Sequence, residues 1–165
     1  MVIRANLTLL ALALLMLVVP TNGFATDIGS IEAIVRGVPA APGSPVVALC
    51  PDMTERPEVF LARGEQSLAV VLARSGYKVL LVDPWSAQAV SAEGFDALAS
   101  DVYPALVEEL RRRADGAQIT FVGHGLCGFV PIAAASSSPA SSAPLDWVAI
   151  GTRLNWARPS PLLER

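Results

Sequence analysis

Gln118-Ile119-Thr120-Phe121-Val122-Gly123-His124-Gly125-Leu126-Cys127-Gly128-Phe129 is the stretch on which the fold reading turns. Residues 118–122 are mostly apolar or β-branched, as in a buried strand. Residues 123–128 carry three glycines and predict a tight turn. From Phe129 to Ala135 the residues suit a helix. A buried strand that turns sharply into a helix is the repeating unit of a parallel sheet.

Upstream, the same unit recurs. Val46-Val47-Ala48-Leu49-Cys50 reads as a buried strand stopped by Pro51, with a loop over 51–63. Residues 64–74 predict a helix with Leu68, Val71 and Leu72 on its apolar face, ended by Gly76. Residues 78–82 (Lys-Val-Leu-Leu-Val) predict another strand, closing at Asp83-Pro84. A long helix follows from about 92 to 113, its stripe set by Leu98, Val102, Leu106 and Leu110. Pro104 either sits in the first turn of a helix capped by Ser100 or kinks a longer one. Asp115-Gly116 ends it. Downstream, 136–144 is a polar Ser/Pro/Ala loop and 147–150 a fourth strand. Residues 31–35 are a further candidate strand, and 37–45 a Gly/Pro-rich turn or linker.

This alternation predicts an α/β fold, a mostly parallel sheet with helices on both faces. Functional groups of such sheets lie beyond the carboxyl ends of the strands. Three places qualify: 50–53, 83–85 and 123–128. Asp83 reads as a capping and loop residue, and Trp85 and Trp147 as core.

Composition bounds the partners. Of 165 residues, 12 are Lys or Arg and 15 Asp or Glu, a net charge of −3. A chain so apolar can bury a core, and no basic stripe exists to meet nucleic acid. The run Arg111-Arg112-Arg113 complements the dipole at a helix end. A single histidine and no Cys-x-x-Cys spacing exclude a zinc-type metal site, and nothing points to a cofactor.

Residues 1–25 differ from the rest. Arg4 precedes an apolar run ended by Pro20, and Gly23-Phe24-Ala25 suits a signal peptidase. Two readings stand: a cleaved signal peptide, or a membrane anchor acting through residues 5–19. Either makes the chain exported (secreted or periplasmic) or membrane-tethered. Residues 26–45 are then a linker or edge segment and 46–165 the domain.

The turn at 123–128 resembles the nucleophile elbow of the α/β-hydrolases, Gly-x-Ser-x-Gly. Gly123 matches the first glycine, His124 the next residue, and Gly125 the nucleophile. Cys127 stands at the second glycine, with Gly128 after it. Other pieces fall in the family's order: Ser67-Leu68-Ala69 through Gly76-Tyr77-Lys78-Val79, Phe95 to Asp101 with Pro104 and Leu106, and Leu145-Asp146-Trp147 through Gly151-Thr152. The resemblance spans about 45–155 and extends to lipases, esterases and polyester synthases. It implies a partial α/β-hydrolase fold, the chain ending before the strands that usually bring the acid and histidine.

The departures matter as much. Gly125 offers no attacking atom, and no histidine follows it. The resemblance implies oxyanion-hole donors at the amides of Leu126 and Asp52, the latter beside a proline without N–H and carrying a carboxylate that opposes negative charge. It also places Cys50 and Cys127 at one sheet edge, where they are either small buried hydrophobes or a disulfide. An alternative frame makes Cys127 the nucleophile, but puts Phe129 where a small residue belongs. The expectations are therefore a hydrolase relative with impaired chemistry or an N-terminal fragment of one. The alternatives are a thiol acyltransferase or hydrolase using Cys127, and a non-catalytic module for an acyl or other apolar ligand.

Overall fold

A computed structural model describes residues 27–34, 40–137 and 145–152. The leader at 1–25 lies outside them, as do the middle of the linker and the end of the chain. Among the described residues no helix is long and apolar enough to cross a membrane.

Among the described residues five strands form one sheet: β1 (Ser30–Ile34), β2 (Val46–Cys50), β3 (Lys78–Asp83), β4 (Ile119–His124) and β5 (Asp146–Ile150). Their order is β1-β3-β2-β4-β5. β3, β2, β4 and β5 run parallel, and β1 is an antiparallel edge on β3. The α/β, mostly parallel architecture predicted from the alternation is what the chain adopts. The register sets Cys50 beside Gly123 and His124 beside Ile150. The carboxyl ends of β2, β4 and β5 therefore meet at one place.

Period-two alternation divides each central strand between two cores. Val46, Ala48, Leu80, Val82, Ile119 and Phe121 face one side. There they meet Leu98, Val102, Leu106 and Leu110 from the long helical segment and Val130 and Ala134 from α5 (Val130–Ser137, numbered after the helices below). Val47, Leu49, Val79, Leu81 and Val122 face the other side, against Phe60, Ala69 and Ala73. Both faces of the sheet are covered, which is why these strands read as unbroken apolar runs.

The helices refine the sequence reading. α1 is Leu68–Arg74, and its buried face is Ala69, Val70 and Ala73. Of the predicted face, Leu68 and Val71 are turned to solvent, 40% and 48% exposed, while Leu72 is half-buried against the core. Six of the seven residues are apolar, so spacing alone does not choose a face; small alanines allow closer approach to the sheet. Gly76 closes α1 as expected, with the Tyr77 amide donating to the Leu72 carbonyl.

The long helix does not begin at 92. α2 (Gln88–Glu93) stops at Gly94, whose φ of +75° breaks the path. α3 (Phe95–Ala97) then continues through a π-helical turn, Leu98–Val102, into α4 (Tyr103–Ala114). The π turn lies just ahead of Pro104, which has no amide to give the carbonyl four residues back. The stripe itself holds: Leu98, Val102, Leu106 and Leu110 are all fully buried. Asp115 ends α4 in the left-handed region, φ +50°. Glu108 and Glu109 pair with Arg111, Arg112 and Arg113, so the basic run is a solvated helix end. The predicted 51–63 loop contains a 3-10 turn, Pro57–Leu61, that drops Phe60 into the core.

β5 is exposed along its whole length, including Trp147, Val148 and Ile150. Among the described residues nothing pairs with its outer edge.

Candidate functional site: the turn after β4 and the loop facing it

β4 stays extended to His124 (φ −96°, ψ 142°), and the chain then reverses at Gly125, φ +55°. A 3-10 turn, Gly125–Phe129, leads into α5. Residue 125 is the apex between strand and helix. A non-glycine side chain there takes the left-handed conformation at a cost of about 1–2 kcal/mol. The flanking glycines let the two backbones pass. A Cβ on Gly123 would lie 2.5 Å from Gly128 Cα, and one on Gly128 would run into Thr152 Oγ1. The small pair is thus Gly123 with Gly128. Cys127 stands between them, because the 3-10 turn delays the helix by a residue.

Long-range contacts hold this turn. Trp147 Nε1 donates to the Gly128 carbonyl at 3.0 Å, and Thr152 Oγ1 to the Gly125 carbonyl at 2.8 Å. Both partners come from β5 and the residues after it. Trp147 is therefore a tether, not the core residue expected from its composition.

Cys127 is bonded to Cys50 across 77 residues, with Cα atoms 6.1 Å apart. Both residues are fully buried. The disulfide joins the end of β2 to the turn, the juxtaposition that the resemblance implied. It also removes the thiol-enzyme alternative: Cys127 has no free sulfhydryl to ionise and no exposure to a substrate.

The loop after β2 closes over the apex. Asp52 Oδ1 accepts the Leu126 amide at 2.9 Å and the Met53 amide at 2.8 Å. A Cβ on Gly125 would lie 2.6 Å from Asp52 Oδ2 and 2.7 Å from Oδ1. The carboxylate occupies the space where a nucleophilic side chain would stand. The Leu126 and Met53 amides thus share one acceptor, while the Asp52 amide donates to Glu55 Oε2 at 3.4 Å.

His124 Nδ1 is 2.7 Å from Glu55 Oε2. A carboxylate accepts, so Nδ1 is the donor in this contact. The ring packs over Gly151, where a Cβ would lie 3.4 Å from Nε2. An imidazole oriented by a carboxylate is the acid–histidine half of a triad. Here it belongs to the strand end itself, and Gly125 supplies no hydroxyl for it to activate. Glu55 was not legible as a partner, since 69 residues separate it from His124.

Trp85, from the 3-10 turn Pro84–Ser86 after β3, donates Nε1 to the Pro51 carbonyl at 2.9 Å. It anchors the start of the Asp52 loop. Asp83 faces elsewhere, into a surface cleft of about 330 Å³ shared with Arg56 and Glu58. Burial raises its carboxyl pKa above the ordinary value, partly offset by the Ser86 and Trp85 amides. The 83–85 place named from the sequence therefore splits: Trp85 serves the turn, and Asp83 does not reach it. Among the described residues no cluster of three or more His, Cys, Asp or Glu is arranged to hold a metal ion.

No protein-family model and no curated protein sequence matches the chain. Among solved structures it is similar to one described as "Thioesterase Domain From Curacin Biosynthetic Pathway", with 19% sequence identity and a TM-score of 0.46. The match covers 82% of this chain and 50% of that one, so this chain spans about half the length of that domain.

Proposed function

We propose that this chain is an α/β-hydrolase relative, esterase- or lipase-like by descent, that does not itself hydrolyse esters. One observation carries the reading: at the apex of the strand–turn–helix stands a glycine, with the Asp52 carboxylate packed over it. Acyl transfer needs an attacking atom at the apex and free amides to take the developing oxyanion. The first is absent and the second are engaged. The Gly123–Gly128 crossing at the turn supports descent from a nucleophile elbow. The exposed apolar outer strand β5 supports a sheet that continues beyond it, supplied by further residues or by another chain.

Export or membrane tethering belongs to the same proposal. The leader pattern supports it, as does the disulfide, since such bonds persist mainly in oxidising compartments.

The test is hydrolysis of a short-chain chromogenic ester by the purified chain. The expected result is a rate equal to that of buffer. Saturable turnover that disappears in His124→Ala would overturn the proposal.

A second reading, a non-catalytic module for an acyl or apolar ligand, is favoured by the exposed Met53 beside the two convergent amides. Saturable fatty-acid binding without turnover is its expected signature.

A further inference from the structure

From the first described residue onward the chain is tied to the body of the domain. Asp27 Oδ2 accepts the Gln88 amide at 2.8 Å, and Oδ1 accepts the Gly29 amide at 3.0 Å. Gln88 opens α2, and Ala87 before it offers that helix no side-chain cap. Asp27 therefore caps α2 from 61 residues away, satisfying an amide that the helix leaves free. The Gln88 amide, and after it the Gly29 amide, holds the Asp27 carboxyl below its ordinary pKa, so the cap is ionised at neutral pH.

Two further features fix the same stretch. Gly29 has φ +73°, and a Cβ there would run into the Asp83 carbonyl oxygen, so the backbone passes the end of β3 as only glycine can. Ile28 and Ile31 pack against the core that α4 and α5 cover. Ser30 then starts β1, opposite Asp83. Residues 27–29 thus form a bent clasp at the carboxyl end of β3.

Upstream of the clasp the sequence reads Gly23-Phe24-Ala25-Thr26. Two boundaries set by different physics fall side by side. The small-x-small triplet that suits a signal peptidase ends at Ala25, and the fixed body starts at Asp27. A peptidase takes the residues on both sides of its scissile bond in extended form and pairs with their backbone. Asp27 is the second residue beyond the Ala25–Thr26 bond, and in the clasp it is held against α2 with a bend at Gly29. Clasp and peptidase compete for the same residues.

We propose that the Ala25–Thr26 peptide bond is a processing site, open to a signal peptidase until Asp27 closes on Gln88 and shielded afterwards. Water adds across the amide, leaving a carboxylate on Ala25 and an ammonium on Thr26. A chain cleaved before it folds is released. A chain that closes the clasp first keeps residues 1–25 and stays tethered. The inference rests on the leader reading given above and deepens it: the released and tethered forms are two outcomes of one competition, set by Asp27.

The experiment is a time course of cleavage of the folded, full-length precursor in detergent by a purified bacterial signal peptidase, read by intact mass. Where the clasp recloses faster than it is cut, the rate follows the population of the open form. One hydrogen bond to an ionised acceptor shifts such an opening by roughly tenfold. Asp27→Ala should therefore be cut about tenfold faster than the wild type, at the same bond. Gln88→Pro opens the clasp without touching the cleavage site, since proline suits the first position of a helix and has no amide to give. It should be cut faster than the wild type as well, and a folded Gln88→Pro cut at the wild-type rate overturns the proposal. Should Asp27→Ala fail to fold, Gln88→Pro decides. Phe121→Asp, which breaks the core, supplies the unfolded reference. In that background Asp27→Ala should leave the rate unchanged, and an equal acceleration there would make Asp27 a peptidase contact and overturn the clasp. An unfolded precursor that is not cut at all sinks the leader reading itself, whereas rapid cutting that ignores both Asp27 and Gln88 sinks only the shielding.

Discussion

Replacing both Cys50 and Cys127 by alanine should destabilise the domain more than any single surface change. The bond spans 77 residues of sequence. Cross-linking a loop of that length removes about 15 cal/mol/K from the unfolded chain, or about 4.5 kcal/mol at 25 °C on the chain-entropy account. Both sulfurs are fully buried, so their loss also leaves space that the core cannot wholly refill. Measured values run lower than the entropic figure where the reduced unfolded state keeps structure, which puts the expected loss at about 3–5 kcal/mol. The assay is urea unfolding of the wild type and of Cys50→Ala/Cys127→Ala, with thiol titration of the wild type alongside. The variant should unfold at lower urea and with a larger slope, since its unfolded chain exposes more surface. The wild type should release no thiol in denaturant alone and two once reductant is added. A stability change below about 1 kcal/mol, against the 2–5 expected for removing a native disulfide, would refute the reasoning. So would two thiols titrating in the oxidised, denatured wild type.

Three further outcomes follow from the packing and charges. Phe121→Ala, which removes a fully buried ring in edge contact with Tyr103, should cost about 3–5 kcal/mol in denaturant unfolding; Val71→Ser, on the exposed face of α1, should stay within about 0.5. Hydrogen bonds from Arg112 and then Arg113 hold the Glu109 carboxyl at about 2. A depressed pKa contributes stability that is present above the unfolded carboxylate value and is lost as pH falls from there toward 2. Because Arg112 lies mostly in water, the contribution should be under about 1 kcal/mol, and Glu109→Gln should abolish that part of the acid dependence. Trp147→Phe removes the tether to the Gly128 carbonyl and should speed amide hydrogen exchange over 125–129 while costing about 1 kcal/mol of global stability.

The central strands were legible because each is buried on both faces, so composition alone marks it. The stripe of α4 and the turn before it was legible for the same kind of reason, a repeat of four that nothing interrupts. The face of α1 was legible only at Leu72, because a helix of Leu, Ala and Val shows no polar side from which to infer the buried one. The start of the long helix was hidden by Gly94, a single residue whose positive φ separates two helical segments that share one pattern.

At the site, the empty apex at Gly125 could be read from spacing. What fills it could not. Asp52 meets Leu126 across 74 residues, and Glu55 meets His124 across 69. Such pairs are consequences of sheet register, which sets Cys50 beside Gly123 and so carries the loop after one onto the turn after the other. The two tryptophans are a similar case: large apolar rings predict packing, and only the assembled sheet shows that their N–H groups hold Pro51 and Gly128.

The central claim is that no side chain at the apex can be acylated. Incubation with a reactive alkyl phosphonate ester, followed by intact-mass measurement, addresses it directly. The account predicts an unchanged mass. A stoichiometric adduct that maps to the peptide around residue 125 would contradict it.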